Sequence, residues 1–145
     1  MRTIKEIMQN TDSACRKEDN LKVIACRMFL SDFMFLPVVN DDKKVIGVVT
    51  YNDVMNAVGK ADGLKISMEV ADIMKIVPCI YTYEDEATTL NVMRRNKSAH
   101  LPVVDTENHL EGVISFMVLA RRIIQFKRRM GRSEKSDIGN LEMSF

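Results

Sequence analysis

The chain has only three cysteines, Cys15, Cys26 and Cys79, and no two of them stand in CxxC spacing. An odd, scattered set of this kind points away from a disulfide framework and from a cysteine zinc site, and it fits a reducing compartment. No run of eighteen apolar residues occurs, so no membrane-spanning helix is expected. Met1 leads straight into the polar Arg2-Thr3-Ile4-Lys5-Glu6 where a secretory leader would carry its apolar stretch. The expectation is therefore a cytoplasmic protein with no membrane partner. An excess of one charge is also lacking: 21 Lys and Arg face 20 Asp and Glu, for a net charge of +1. That balance offers no long-range attraction to DNA or RNA, and any anion site must be local. Catalytic signatures are missing too, with no glycine-rich phosphate loop, no HExxH and no GxSxG. An enzyme would have to use Cys79 as nucleophile with His100 as base, and Cys79 lies in an apolar strand pattern where a buried thiol is inert. No catalytic role is expected.

What the sequence does have is a repeat. Leu36-Pro37-Val38-Val39 returns as Leu101-Pro102-Val103-Val104, 65 residues later, and the same displacement carries Gly47-Val48-Val49-Thr50-Tyr51 onto Gly112-Val113-Ile114-Ser115-Phe116. Met28 and Met93 each precede their proline by nine residues, and Ile7-Met8 matches Ile73-Met74 with a one-residue gap. With 46% hydrophobic and 28% charged residues, each copy has the make-up of a folded globule.

Each copy spells the same elements. Leu21, Ile24, Ala25, Met28 and Phe29 fall on one stripe of a helix over 20–33, with Asp19 or Asn20 as its cap. Ala87, Leu90 and Met93 repeat the stripe behind Asp85, and Arg94-Arg95 suits the C-terminus of that helix. The methionines Met28 and Met93 belong to these core stripes and need no metal or redox role. Two hairpins follow, one from Leu36–Val39 and Val45–Thr50, the other from Leu101–Val104 and Leu110–Ser115, each with a polar tip. Helical patterns over 52–58 and 117–126 close the units, so each reads β-α-β-β-α. Neither unit can bury its apolar faces alone, and the two should pack face to face. The organisation expected is a first unit over 1–60, a linker over 61–69, a second unit over 70–128 and a flexible C-terminal tail over 129–145.

In this order the Asp72-Ile73-Met74 start, the Leu-Pro-Val-Val strand and the Gly-Val-Val-Thr-x-x-Asp segment resemble the cystathionine-beta-synthase (CBS) domain, over roughly residues 1 to 128. That domain normally occurs in pairs called Bateman modules. The resemblance implies a mixed α/β fold of two β-α-β-β-α repeats packed with pseudo-two-fold symmetry, enclosing two clefts, and often forming flat homodimers. It also implies a non-catalytic regulatory role in which an adenine nucleotide (AMP, ADP or ATP) or S-adenosylmethionine is bound, and an effector protein outside the chain that reads the change.

The same resemblance assigns candidate residues. Thr50 and Asp53 match the motif that holds a ribose, where a carboxylate can accept bonds from both hydroxyls. From the other repeat, Val77 and Pro78 would line the base, and His100 stands where the family often places a phosphate-binding arginine. Lys97, Arg121 and Arg122 are further cations that would approach a phosphate tail. The plain structural alternative is that Asp53 merely caps a helix and His100 bonds to backbone at a junction. In the second repeat Ser115 keeps the hydroxyl, Val118 replaces the aspartate, and Phe35 stands where His100 stands in the first site. Two unequal clefts are expected. A competing reading is a ligand-free interaction or dimerisation module.

Overall fold

The computed structural model describes residues 2–60 and 67–131; positions 61–66 of the linker expected over 61–69, and 132–145 of the tail expected over 129–145, lie outside the described residues. Helix α1 (Ile4–Ile7) and strand β1 (Gln9–Asn10) open the chain, followed by α2 (Leu21–Ser31), β2 (Phe35–Val39), β3 (Val45–Thr50) and α3 (Tyr51–Lys60). A 3-10 turn at Val70–Asp72 precedes β4 (Ile80–Tyr81), α4 (Glu86–Asn96), β5 (His100–Val104), β6 (Leu110–Ser115) and α5 (Phe116–Arg129).

Local chemistry accounts for the boundaries. The Asn20 side chain accepts from Lys22 N and Val23 N to start α2, and Asp85 accepts from Thr88 N at 2.7 Å to start α4. Both helices stop at a left-handed residue, Asp32 (φ 57°) and Lys97 (φ 50°), which lie 65 positions apart. The hairpin tips use left-handed Lys43 and Asn108, again 65 apart, and each hairpin carries an irregularity at the same place, Val38/Val39 and Val103/Val104. The repeat therefore extends to backbone conformation. Each helical stripe departs from expectation at one residue: in α4 Ala87 is exposed and Thr89 is buried beside Met93, and in α2 the outermost position of the stripe turns outward. Leu21, Ile24, Ala25 and Met28 are buried, but Phe29 is 70% exposed, because α2 is apolar nearly all round and its position in the helix, not its hydrophobicity, decides which side meets the core.

Two sheets result. β2 and β3 pair antiparallel, with Cys15 bridging Val38 in the parallel sense on the outer side. The second sheet runs β1-β6-β5-β4, with β4 parallel to β5. The Cys15 bridge and β4 are the repeat-related first strands, one reduced to a single residue pair. Among the described residues no helix is long and apolar enough to cross a membrane.

The start of each repeat packs on the other repeat. Ile4, fully buried, sits in the second core among Ile80, Met93, Leu101, Val103, Ile114 and Leu119. Its amide donates to Glu84 O at 2.8 Å, and β1 adds to the edge of β6. Conversely, Val70 is fully buried in the first core with Leu21, Met28, Leu36, Val49 and Val54, and Lys75 and Val48 exchange backbone bonds of 2.9 and 2.8 Å. Two glycines make room for the crossing segments. A Cβ on Gly47 would lie 2.9 Å from Lys75 O, and one on Gly112 would lie 2.5 Å from Gln9 O. A third small cluster of Val39, Val45 and Val104, with Ala14, Cys79 and Leu110 against it, joins the two hairpins. There Val45 N donates to Asn108 O, and Asn108 Nδ2 donates to Val45 O.

Removing the Ile4 side chain leaves a hole in the core of the other repeat, at a cost of about 3 kcal/mol for an Ile→Ala change in a packed site. Ile4→Ala is expected to lower the urea midpoint accordingly, whereas Ile76→Ala, at a residue 86% exposed, should move stability by less than about 0.5 kcal/mol.

Candidate functional site

Thr50 ends β3, and its Oγ1 accepts from Asp53 N at 3.2 Å, so the hydroxyl caps the first turn of α3 and fixes Asp53 beside it. The cap is thus Thr50 and not Asp53, which leaves the Asp53 carboxylate available for a different partner. Lys75 Nζ lies 2.9 Å from Asp53 Oδ2. Burial alone would raise the Asp53 pKa, but the bond from Lys75, the Thr50 hydroxyl and the lysine charge together outweigh it and hold the carboxyl below its usual range. Lys75 arrives through the exchanged segment, two residues before Val77.

Across the β2–β3 ladder, Thr50 stands opposite Phe35. The Phe35 ring stacks on His100 with centroids 5.4 Å apart and planes inclined by 20°. Phe35 and His100 occupy the same place in the two repeats, so this contact lies where the pseudo-two-fold axis passes between the hairpins. Burial lowers the His100 pKa below its ordinary value, and at neutral pH the ring is an uncharged hydrogen-bonding group.

An open cleft of about 380 Å³ is lined by Gln9, Ser13, Phe35 and His100, among others. The repeat displacement maps Phe35 onto His100 and Ser13 onto Pro78, and the matching crossing segments place Gln9 where Lys75 lies, each with its carbonyl against the glycine of the opposite hairpin. The related position therefore presents Lys75, Pro78, His100 and Phe35; Ser115 and Val118, the counterparts of Thr50 and Asp53, do not line the cleft, so the repeat relation does not bring His100 and Pro78 together with Thr50 and Asp53. Pro78 is exposed there, while Val77 is half-buried and packs against the second core. Asp53 and Lys75 also line a second hollow of about 530 Å³, with Asn56 and Lys60. His100 is not among the residues that line it.

The two clefts differ in charge. One holds the ion pair of Asp53 and Lys75; in the other the same places are taken by Val118 and Gln9, and Ser115 repeats the cap of Thr50 by accepting from Val118 N at 3.3 Å. Of the further cations, Arg122 is committed to Glu86 at 2.6 Å and ties α5 to α4, and Lys97 is the left-handed cap of α4. Burial pushes the Cys79 thiol up to about 11, so it is protonated at neutral pH and gives His100 no thiolate to work with. Among the described residues no three His, Cys, Asp or Glu side chains gather as a metal site. The pairing of Lys75 with Asp53 had no mark in the sequence, since it depends on the exchange of segments; the nearest pointer was the position of Lys75 directly after the Asp72-Ile73-Met74 start.

A doubled β-α-β-β-α unit with a cleft on each side of its axis defines the class of module. The CBS domain family model matches residues 4–60 and 70–124, and the chain belongs to that family. It is 34% identical over 88 residues to an inosine-5'-monophosphate dehydrogenase of Methanocaldococcus jannaschii, covering 60% of this chain and 16% of that enzyme. The chain thus spans about a sixth of the length of this much larger relative. Among solved structures it is similar to CBSX2 in complex with AMP, with a TM-score of 0.72 and 20% identity, covering 88% of this chain and 99% of that one. It is likewise similar to the CBS domain pair of protein MJ0100 in complex with 5'-methylthioadenosine and S-adenosyl-L-methionine, with a TM-score of 0.74 and 18% identity, covering 85% and 96%.

The lowered pKa of His100 sets a pH dependence. Between the folded value and about 6.5 the unfolded chain binds a proton that the folded chain refuses, so folding stability falls as pH drops through that window. Urea midpoints measured at neutral pH and at a series of pH values below about 6.5 should show this slope, and His100→Phe, which keeps a ring against Phe35, should flatten it.

Proposed function

We propose that the chain is a non-catalytic sensing module that binds an adenine nucleotide or adenosyl ligand in the cleft of its first repeat. The observation that carries this reading is the set Thr50, Asp53 and Lys75, present once and replaced by Ser115, Val118 and Gln9 at the related place. Asp53 takes the ribose hydroxyls in exchange for Lys75. The freed ammonium and the His100 N–H then face the phosphate, and Val77 and Pro78 supply apolar and backbone contacts to the base. AMP, ADP and ATP fit this arrangement. S-adenosylmethionine also offers a ribose to Asp53, but its cationic sulfur gains nothing from Lys75. The AMP bound to CBSX2 and the adenosyl compounds bound to MJ0100 support the ligand class.

Because ligand contacts come from both repeats, binding favours one arrangement of repeats or protomers, by no more than its difference in affinity for the two arrangements. The output passes to a second copy or to an effector protein in the cytoplasm. A ligand-free interaction module is the second reading, and Val118 and Phe35 favour it for the other cleft. Calorimetric titration with AMP, ADP, ATP and S-adenosylmethionine decides between them. The expected result is saturable binding of at least one nucleotide, weakened roughly tenfold or more, about 1.4 kcal/mol, in Asp53→Ala. No heat from any of the four, in folded protein freed of carried-over nucleotide, would leave the interaction module.

A further inference from the structure

Helix α5 carries Arg121, Arg122, Lys127, Arg128 and Arg129 and no acidic residue, although the whole chain is balanced to a net charge of +1. Arg122, Phe126 and Arg129 follow one another at i, i+4 and i+7 and so share one face of the helix. That face forms one wall of a hollow of about 640 Å³. The other wall is Glu86, which opens α4, and Arg2, which the pairing of Thr3 with Asp85 sets beside it. Arg122 and Glu86 join the walls through a bond of 2.6 Å. Among the described residues Arg2 and Arg129 have no ion-pair partner, and Phe126 stands 57% exposed between the arginines, with Met130 56% exposed one turn on. The helix dipole accounts for cations in the last turn of α5. It does not account for Arg2, which comes from another element, or for an exposed ring between two arginines. The fold supplies an internal control: α3 carries Asn56 and Ala57 where α5 carries Arg121 and Arg122, so the architecture does not require basic residues there.

We propose that this hollow docks an acidic segment of a partner protein, one that presents carboxylates on either side of an apolar side chain. The apolar group packs on Phe126 and Ile123, and the carboxylates pair with Arg2 and Arg129, whose guanidinium groups can each hold a carboxylate through two parallel bonds. Charge complementarity carries the choice of partner: the hollow already seats one carboxylate, Glu86 on Arg122, and keeps two further guanidinium groups for others. A bilayer takes a basic helix that lies along its surface with the apolar face down, whereas Phe126 borders a concave space between α5 and α4. A nucleic-acid strand is held by successive stacking rings along a basic track, and Phe126 is the one ring among the described residues that line this hollow. Docking here requires no nucleotide and stands independently of the ligand reading.

The experiment is fluorescence anisotropy of a labelled amphipathic Glu/Leu peptide titrated with the full chain. Saturable binding that weakens as salt is raised is the expected result. Arg2→Glu/Arg129→Glu should weaken it roughly tenfold or more and bind the Lys/Leu version of the peptide instead. Phe126→Ser, at an exposed position, should weaken it by a similar factor, and polyglutamate without leucine should bind the wild-type chain less tightly. Lys22→Glu/Arg95→Glu makes the same change in net charge at exposed positions outside the hollow and should bind as the wild-type chain does. Unchanged far-UV CD spectra check that each variant is folded. No binding of the Glu/Leu peptide at about millimolar concentration, an equal loss in Lys22→Glu/Arg95→Glu, or equal binding of polyglutamate would overturn the proposal. So would tighter binding to phosphatidylserine vesicles or to a single-stranded oligonucleotide, or self-association that Arg2→Glu/Arg129→Glu relieves. Peptide binding that appears only in Glu134→Gln/Asp137→Asn/Glu142→Gln would give the hollow to the chain's own C-terminal segment and overturn it as well.

Discussion

Each core in this molecule is completed by chain from the other repeat. Ile4 closes the second core and Val70 closes the first, and the segments that carry them run on as backbone partners of the opposite hairpin, β1 along β6 and Lys75 against Val48. Burial of a large side chain contributes roughly 1.5–3 kcal/mol, so an isolated repeat would lack both a core residue and a strand-edge partner. The exchange also dictates sequence at a distance. Gly47 and Gly112 are glycines because the carbonyls of Lys75 and Gln9 occupy the space a Cβ would need.

The candidate site follows from the same exchange. Asp53 and Lys75 belong to different repeats by sequence and meet only because the second repeat's start is folded onto the first. A ligand that takes the Asp53 carboxylate thus acts on a residue of one repeat and on the segment that holds the other repeat in place. The opposite cleft has the same backbone but carries Val118 and Gln9 in the places of Asp53 and Lys75, so nearly identical geometry carries different chemistry in its two halves. A similar inequality marks the outer surfaces, where α2 is apolar and α4 is arginine-rich. Symmetry belongs to the backbone and function to the departures from it.

Much of this was legible in the residues. The hairpins, their polar tips and the caps at Asn20 and Asp85 are set by local patterning, and the ordered repeat pointed to the family before any fold was seen. Thr50 and Asp53 were placed as neighbours because three residues across a strand-to-helix junction bring them together whatever the surroundings. The exchange was not legible, since Ile4 and Val70 are simply apolar residues near a motif and nothing in them names the core they enter. The partner of Asp53 was hidden for the same reason. Phe29 was assigned to the core stripe because periodicity counts apolar positions, and on a helix with two apolar sides it cannot tell inner from outer.

The central claim is that the two repeats form one cooperative unit, and native-state hydrogen exchange under rising denaturant tests it most directly. The amides of Val48, bonded to Lys75, and of Ile4, bonded to Glu84, report the two places where the repeats hold each other. The account predicts that these amides and those of the central strands in both sheets become exchangeable through a single opening of common free energy and common denaturant dependence. Exchange of one repeat's strands through an opening that leaves the other repeat protected would contradict it.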